Sequence, residues 1–474
     1  MGKKSSYIEI VPEKPIYGGK CLGEYEGKKV ILERALPGEK VVAKVKKRRK
    51  NYLECVATEI IEKSDKRVEH GCNYYPSCGG CKLLDVDYNY QLEIKSTVVK
   101  DCIERLGKVK DYTYHNILAS PKSDRYRNKM EFTFSNHQYY IGDREYDDSD
   151  DFFLGFHAPK VYSKVIDIDT CLLHSKRVDS LFRSIKRICK ESGLKAYDIM
   201  EHTGFFRYLV FRETVSGEVM INLVTKRYER EIVEDIAKKV IDENPFVVSF
   251  VNTINSGLSS TAYGEASYLI SGKEKVIDSI GNLKFEISVN SFFQVNPFQT
   301  GNLYNKAFEL GRFSKNDTII DLYCGVGTIS LFAASYVKEV IGFELVENAV
   351  KDALRNMKLN NLTNCDFFSG DLMKVVGERS IFTERKYDAI ITDPPRDGMH
   401  PKVVKSIVES KIKKIVYISC NPSTFARDVE LLEIGGYKLK EAIAVDMFPN
   451  TYHVETIGVL ELVSKKEEQI NRSC

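Results

Sequence analysis

Two short segments in the last third of the chain place reactive side chains where an open sheet binds its ligands. Cys420 follows the strand-like run 414–419 in the segment SCNP, and Asp393 follows the run 387–392 in the segment DPPRDG. Loops at the carboxyl ends of parallel strands form the ligand-binding edge of such sheets, and proline stiffens both loops. Core packing explains a cysteine in this position poorly, so Cys420 is a candidate nucleophile.

Glu455 is a candidate proton acceptor for the same chemistry. It lies in the segment NTYHVET (residues 450–456), which opens the last predicted strand of the chain. A positioned carboxylate can take up a proton from a reacting carbon. A glutamate before a strand is more often a surface residue, so this prediction depends on its combination with Cys420 and Asp393.

A glycine-rich turn predicts a site for a nucleoside-containing ligand. The segment DLYCGVGT (residues 321–328) joins a predicted strand to a predicted helix, where glycines let the main chain approach a ligand closely. Glu344 ends the next strand and can accept both hydroxyls of a ribose, and Asp371 follows a third apolar stretch and could face an adenine amine. The third glycine of the dinucleotide pattern is absent. The turn is therefore typical of an S-adenosylmethionine fold, with another doubly wound nucleotide fold as the alternative.

A group of cysteines near residue 75 has a spacing that suits a metal or iron–sulfur site. Cys72, Cys78 and Cys81 form a C-x5-C-x2-C pattern with two glycines between the last two, and glycines beside thiolates allow tight wrapping of a cluster. A fourth ligand is needed, for which Cys171 is the best candidate. Zinc is the alternative, since four thiolates also suit it. The absence of an export signal argues against disulfides among the 12 cysteines.

Three regions with different patterns must position these side chains. Residues 7–62 contain short strands separated by glycine turns, which predicts a small β-barrel for residues 1–62. Residues 63–285 contain the cysteines, a helix from residue 88 to 106, several strands and two amphipathic helices, which predicts a central mixed α+β domain. Apolar strands alternate with helices after residue 316, which predicts a parallel sheet covered on both faces in residues 286–474. The predicted fold class is α/β.

The distribution of charge favours a nucleic-acid partner more than the total charge does. The formal net charge is only +3, but six of the seven residues 44–50 are Lys or Arg. Such a run can neutralise several phosphates, although a solvated hairpin tip explains it equally well. A second patch, RYRNK at residues 125–129, could contact a backbone and stack on bases. No long apolar stretch and no secretory pattern is present in the sequence, so we expect a cytoplasmic protein without a membrane partner.

Together these segments resemble the RNA 5-methyluridine methyltransferase family. The resemblance covers residues 290–458 and rests on five motifs in the family's order: FFQVN (292–296), DLYCGVG (321–327), DPPRDG (393–398), SCNP (419–422) and HVET (453–456). It implies a Rossmann-like class I methyltransferase domain that binds S-adenosylmethionine. It also implies that Cys420 attacks carbon 6 of a uracil, which activates carbon 5, and that Glu455 removes the carbon 5 proton. The implied neighbours of the methyl donor or the target base are Gln294, Tyr323, Thr328, Glu344, Asp371 and Asp393.

The resemblance extends to the other two regions. Residues 1–62 are similar to a TRAM domain, an RNA-binding β-barrel. Members with this domain carry a four-iron, four-sulfur cluster on cysteines that match Cys72, Cys78, Cys81 and Cys171. The presence of both features favours large-subunit ribosomal RNA as the substrate, and hence a role in rRNA processing. Transfer RNA is the alternative substrate, and a non-catalytic RNA-binding factor with a methyltransferase fold is the alternative function. No obligate protein partner is expected.

Other enzyme classes fit these motifs less well. RNA cytosine-5 methyltransferases place a cysteine directly after proline in the loop that reads DPPR in this chain, and amino-group methyltransferases need no thiol. A TRAM-bearing radical enzyme would need the spacing C-x3-C-x2-C. Cys324 is the rival nucleophile, but its place inside the glycine turn is better explained by local packing. Phe292 or Phe293 could pack beside the target base, or in the core.

Overall fold

The N-terminal region is a curled six-stranded sheet. The computed structural model describes residues 6–142, 149–374 and 381–463 of the chain. The first six strands pair in the order β1-β5-β6-β4-β3-β2 around an apolar core that includes Val30, Leu32 and Val41. The strands predicted for this region are present. Their bounds are β1 (Tyr7–Ile10), β2 (Lys14–Ile16), β3 (Lys20–Tyr25), β4 (Lys28–Glu33), β5 (Lys40–Arg48) and β6 (Tyr52–Glu62).

A helix and a strand follow this sheet. The helix predicted for residues 88–106 is present as α1 (Tyr88–Asp101), continued by a π-helical turn (Cys102–Leu106). Asp87 caps the start of α1, because its carboxylate accepts the N–H of Tyr90. The strand β7 (Thr113–Leu118) comes next.

The central region contains a seven-stranded sheet in the order β10-β9-β8-β11-β12-β13-β14. Two helices pack on it, and the apolar stripes predicted to be core are buried or half-buried. The elements are β8 (Lys129–Ser135), β9 (Phe153–Ala158), β10 (Val161–Asp167), α2 (Lys176–Glu191), β11 (Phe206–Glu213), β12 (Val219–Thr225), α3 (Arg230–Glu243), β13 (Val247–Ile254) and β14 (Ala266–Gly272).

The C-terminal region is an eight-stranded sheet preceded by a hairpin. The sheet order is β19-β18-β17-β20-β21-β23-β22-β7. The elements are β15 (Val276–Ile280), β16 (Leu283–Ile287), α4 (Pro297–Gly311), β17 (Thr318–Leu322), α5 (Thr328–Ala333), β18 (Glu339–Glu344), α6 (Glu347–Leu359), β19 (Cys365–Ser369), α7 (Ile381–Glu384), β20 (Ala389–Thr392), α8 (Pro401–Ser410), β21 (Lys414–Ser419), α9 (Pro422–Ile434), β22 (Tyr437–Val445) and β23 (Glu455–Leu462).

The strands of this sheet run in two directions. Strands β17 to β21 are parallel, as predicted, whereas β23 lies antiparallel between β21 and β22. At the far edge, β7 pairs in parallel with β22. The sheet therefore includes one strand, β7, from before residue 286, where the sequence predicted the start of the C-terminal domain.

A buried ion pair joins α1 to the C-terminal region. The Lys95 ammonium donates to the Asp446 carboxylate at 2.6 Å and to the main-chain oxygen of Phe448 at 2.9 Å. Both side chains are almost completely buried. Burial lowers the pKa of Lys95, and the charge of Asp446 opposes that shift. The pair thus holds the start of the segment 446–455 against α1.

Asn450 fixes the middle of the same segment. Its φ is +66°, in the left-handed region that Asn tolerates better than most residues. Its side-chain oxygen accepts from Gln91 at 3.0 Å, and its side-chain amide donates to the oxygen of Ser123 at 2.7 Å. Its main-chain oxygen accepts the N–H groups of both Lys82 and Leu83 at 3.0 Å. The segment is therefore tied to α1 and to the loop that carries three of the clustered cysteines.

The predicted RNA-contacting patch at residues 125–129 is wrong in part. Tyr126 is 1% exposed, and its hydroxyl donates to the main-chain oxygen of Pro449 at 3.0 Å. Arg125 donates to the main-chain oxygen of Cys171 and to Asp179. Tyr126 cannot stack on a base, because its ring is packed beneath the segment 446–455. Within the described ranges, no helix is both long and apolar enough to span a bilayer.

Replacing Lys95 by Met should strongly destabilise the protein, by about 3–5 kcal/mol, because Asp446 would keep a buried charge without a partner. The double variant Lys95→Met, Asp446→Leu should recover much of the loss. Chemical denaturation of each variant measures the effect. Lys100→Met is the matched control, since Lys100 is exposed on the same helix. Equal losses for Lys95→Met and Lys100→Met would contradict the role of the pair.

Candidate active site

One large cavity lies at the edge of the C-terminal sheet. Its volume is about 770 Å³. Side chains from seven separate loops and strand ends contribute to its walls. The lining includes all the catalytic and donor-site residues predicted from the sequence: Cys420, Glu455, Gln294, Tyr323, Thr328, Glu344, Asp371 and Asp393.

Strand direction explains why Cys420 and Glu455 meet. Cys420 comes directly after β21, at the carboxyl ends of the parallel strands. Glu455 is the first residue of β23, which is antiparallel to β21, so its start lies at the same edge. Ser419 pairs with Thr456 in this ladder, and the register places residue 420 opposite residue 455. A candidate nucleophile and a candidate base thus face the same cavity.

Hydrogen bonds lock the loop of Cys420 to the loop of Asp393. The main-chain oxygen of Arg396 accepts from the Asn421 amide at 3.0 Å and from the Thr424 hydroxyl at 3.2 Å. The Asn421 side chain also caps α9 by accepting the N–H of Ser423 at 3.1 Å. The two predicted loops therefore form one rigid unit on which the thiol is mounted.

The electrostatics of the cavity favour neutral acids in the free enzyme. Burial, followed by the charges of Glu455 and Asp393, raises the pKa of the Cys420 thiol to about 12, while Arg396 acts in the opposite direction. Burial and then Asp393 raise the pKa of Glu455 well above its usual value. Burial raises the pKa of Asp393 to about 7. A cation bound among these groups would favour their ionised forms.

The glycine turn after β17 forms another wall. Tyr323 has a φ of +68° and Gly327 a φ of +85°. A Cβ on Gly327 would lie 3.1 Å from Ala353 and from Phe367, so a larger residue would be strained and would have to displace these side chains slightly. The Glu344 carboxylate accepts the N–H of Gly325 at 3.0 Å. The turn is thereby held against the end of β18, where a ribose-binding carboxylate was predicted.

Two buried side chains that were not predicted as site residues support this turn, although Asp321 lies inside the DLYCGVG motif. The Asp321 carboxyl accepts from the Ser330 hydroxyl at 2.5 Å, and burial raises the pKa of Asp321 to about 7. Tyr304 of α4 donates to the Thr328 hydroxyl at 3.1 Å. The sequence offered no signal for Tyr304, because α4 and the turn are separate elements that only the folded chain brings together.

Further residues line the cavity without having been predicted as site residues. Arg396 and His453 lie inside recognised motifs, which could have indicated them, whereas Phe448 lies outside any motif. Burial, followed by Arg396, lowers the pKa of His453 to about 4, so its imidazole is neutral at pH 7. Phe292 is 69% exposed and lines the cavity, whereas Phe293 is packed in the core. Cys324 is buried, as expected for local packing.

The four clustered cysteines line a second cavity of about 350 Å³. Burial is the first cause of a raised pKa for Cys78, Cys81 and Cys171, and the mutual charge of the thiols raises each further. Nowhere in the described part of the chain do three or more His, Cys, Asp or Glu side chains form a ready site for a single metal ion. Arg396, Phe448 and His453 line both cavities, so the two sites share a wall.

Comparison with known proteins identifies the family. The model of the tRNA (uracil-5-)-methyltransferase family matches residues 87–463. The chain belongs to this family. It is 38% identical over 470 residues to an uncharacterised RNA methyltransferase of Chlorobaculum tepidum, covering 97% of both chains. It is 36% identical over 466 residues to another from Halalkalibacterium halodurans, covering 97% of this chain and 98% of that one.

A solved structure supports the class I methyltransferase fold. The Pyrococcus abyssi tRNA (uracil-54, C5)-methyltransferase, solved in complex with S-adenosyl-L-homocysteine, superposes with a TM-score of 0.71 at 29% identity. The match covers 95% of this chain and 99% of that one. This member of the uracil-5 methyltransferase family is therefore an S-adenosylmethionine-dependent RNA methyltransferase, and the large cavity contains the residues that its family motifs indicated.

Proposed function

We propose that this enzyme methylates carbon 5 of a uridine in RNA through a covalent adduct between the Cys420 sulfur and carbon 6 of the base. The main support is the position of Cys420 opposite Glu455, in the same cavity as the donor turn. S-adenosylmethionine supplies the methyl group as a sulfonium cation. We also assign the enzyme to the cytoplasm.

The proposed steps give the two side chains distinct tasks. Cys420 reacts as the thiolate: its sulfur bonds to carbon 6, and the electron pair of the C5–C6 double bond moves towards the O4 oxygen. Carbon 5 then takes the methyl group, and the donor leaves as the neutral thioether. Glu455 accepts the proton from carbon 5, the double bond re-forms, and Cys420 leaves as the thiolate.

The charges around the cavity assist these steps. Arg396 lowers the pKa of Cys420, and the positive donor acts in the same direction, so both favour the thiolate. Glu455 must be ionised to accept a proton, and the same two cations oppose the effect of its burial. We assign donor contacts to Glu344 at the ribose and Asp371 at the adenine. We assign Gln294, Tyr323, Thr328 and Asp393 to the surroundings of the donor and the target base.

Large-subunit ribosomal RNA is our proposed substrate, on the similarity of the N-terminal sheet and the cysteine set to those of rRNA-modifying members. Transfer RNA is the second candidate, because the Pyrococcus abyssi neighbour is a tRNA uracil-54 methyltransferase. Anaerobically purified enzyme with labelled donor and unmodified total RNA, followed by nuclease digestion and mass spectrometry, distinguishes them. We expect 5-methyluridine in large-subunit rRNA fragments, whose number would give the number of modified sites. Label in transfer RNA would identify transfer RNA as the substrate. Label on cytosine or on a base amine would overturn the proposed reaction.

Replacing Glu455 by Gln should trap the covalent RNA adduct, because methyl transfer can proceed while proton removal cannot. We expect an RNA–protein complex that survives denaturing electrophoresis and contains the methylated base, with turnover reduced at least about 100-fold. Glu461→Gln, on the same strand β23, is the matched control and should turn over normally. The further change Cys420→Ser should abolish the complex. Normal turnover by Glu455→Gln would exclude this residue as the base.

The pH dependence of single-turnover methyl transfer provides a second test of the pair. The rate should rise with pH as Cys420 ionises. The Glu455 charge raises the pKa of Cys420, so Glu455→Gln should move this rise to lower pH. Arg396 lowers the pKa of Cys420, so Arg396→Gln should move it to higher pH; its main-chain oxygen keeps the loop contacts. Shifts in the same direction for both variants would contradict the assignment.

We propose that Cys72, Cys78, Cys81 and Cys171 hold a four-iron, four-sulfur cluster. All four thiols line one cavity, and its volume suits a multi-atom group. Thiolates that bind zinc must converge to within about 2.3 Å of one point, whereas a cluster holds them further apart. Zinc stays the alternative, since four thiolates also suit it. Because methyl transfer moves no electrons, we assign the cluster a structural or RNA-positioning role.

Metal analysis of anaerobically purified protein tests the cluster. We expect about four iron and four acid-labile sulfide atoms per chain. Cys171→Ala should lose them, whereas Cys189→Ala should keep them, because Cys189 is buried on the apolar face of α2 and is not among the residues that line the cysteine cavity. Stoichiometric zinc without sulfide would show instead that the four cysteines hold a zinc ion. A methylation rate that changes on mild reduction, with fold and RNA affinity constant, would exclude the structural role.

A further inference from the structure

The turn between β2 and β3 of the N-terminal sheet reaches the surroundings of Cys420. Tyr17, in this turn, packs against Val98 and Cys102 of the helical segment and against Ala426 of α9. Helix α9 begins two residues after Cys420. The ring of Tyr17 is 5.7 Å from the ring of Tyr452, edge to face. A residue near the start of the chain therefore lies beside the catalytic loops.

A row of aromatic rings continues from Tyr17 towards the large cavity. Tyr452 lies 4.1 Å from the His453 ring, and His453 lies 5.8 Å from Phe448. His453 and Phe448 line the cavity that contains Cys420. Tyr17 and Tyr452 are each half-buried, and Tyr452 lines the cysteine cavity. Burial, followed by Tyr452 and Cys420, raises the pKa of Tyr17 to about 12, so this ring carries no charge that would repel a phosphate.

The main chain of the same turn fits closely against the cysteine loop. A Cβ on Gly19 would lie 3.0 Å from the Cβ of Lys82 and 3.2 Å from the Cβ of Tyr452. Gly19 also has a φ of +67°, which favours glycine. The turn is therefore seated on Lys82 and Tyr452, and Tyr17 has a defined position relative to both.

Basic side chains surround this position. Lys20, Arg34 and Lys82 line one cavity together with Gly19. Glu33 is already paired with Lys160 at 3.2 Å and with Lys20 at 3.5 Å. Lys20 and Lys160 thus share one carboxylate, and Arg34 and Lys82 add two further cations between the N-terminal sheet and the cysteine loop. Such an excess suits the phosphates of a nucleic-acid strand.

We propose that the Tyr17–Tyr452 pair stacks on an RNA base next to the target uridine, while Arg34, Lys82 and Lys160 contact the phosphates beside it. The inference rests on the proposed RNA methylation and deepens it. A target base must leave its stack to reach Cys420, and aromatic rings commonly bind the neighbouring unstacked bases of single strands. Tyr17 then acts as a specificity and positioning residue, and takes no part in the chemical steps.

Two substitutions at Tyr17 separate stacking from packing. Tyr17→Phe keeps the ring and should behave like the wild type. Tyr17→Leu keeps apolar contact with Val98 and Ala426 but removes the flat face. We expect Tyr17→Leu to raise the KM for the methylated RNA about 5- to 100-fold, with kcat changed less than about twofold. Tyr7→Leu is the matched control, because Tyr7 is an exposed tyrosine on β1, at the other end of the strand order.

A binding experiment tests the contact independently of turnover. The probe is a short single-stranded RNA with one uridine and the fluorescent base 2-aminopurine on its 5′ side or, separately, its 3′ side. Binding to the full chain should quench one of the two probes, and Tyr17→Leu should remove the quenching while Tyr17→Phe keeps it. No quenching of either probe by a wild type that methylates uridine would overturn the inference alone. Tyr17→Leu behaving like Tyr7→Leu in KM would also overturn it. Quenching without any uridine methylation would instead support the stacking site and overturn the proposed reaction.

Discussion

The segment from Asp446 to Glu455 is held by contacts with distant parts of the chain, and the geometry of the active site depends on them. Lys95 pairs with Asp446 at one end, where both groups are shielded from water. Asn450 takes bonds from α1 and from the cysteine loop in the middle. Glu455 then starts β23 at a fixed register against β21. Because a pair of this kind is strongly directional when buried, it leaves the segment little freedom to move the candidate base away from Cys420.

Burial disfavours the ionised forms of the carboxyl groups in and beside the large cavity. Asp393 and Glu455, which line the cavity, and Asp321 at the end of the neighbouring strand β17 each have a raised pKa with burial as the first cause, and the charge of Asp393 raises the pKa of the other two further. Arg396 compensates only in part. The missing positive charge matches the sulfonium of the methyl donor. The donor loses that charge when it gives up its methyl group, so the cavity should hold the product less strongly than the donor. Poor electrostatic complementarity in the free enzyme is therefore consistent with a cycle in which the cavity binds the charged donor and releases the neutral product.

The candidate site was largely predictable from the sequence because its parts are local. The loops of Asp393 and Cys420 and the glycine turn each follow a recognisable strand, and parallel strands end at one edge of a sheet. Glu455 was predictable as a candidate base, but its position opposite Cys420 was not. It reaches the same edge of the sheet only because β23 is antiparallel to β21. Lys95 with Asp446 and Tyr126 with Pro449 are separated by 351 and 323 residues. No periodicity or motif links such pairs, which is why Tyr126 was wrongly expected at the surface.

The segment from Asp446 to Glu455 also gives a physical reason why an enzyme has these four cysteines although its reaction needs no electron transfer. The loop of Cys72, Cys78 and Cys81 has few apolar side chains to bury, so it needs another means of holding its shape. Directly after it, Lys82 and Leu83 donate their N–H groups to Asn450. A group bound by the thiols would fix the loop, the loop would fix Asn450, and Asn450 lies five residues before Glu455. The two cavities also share a wall, because Arg396 and His453 line both of them. This shared wall strengthens the link between the cysteines and the active site. The four thiols would therefore help to position the active site. Loss of the group that they bind would first loosen the segment 446–455, which carries Glu455.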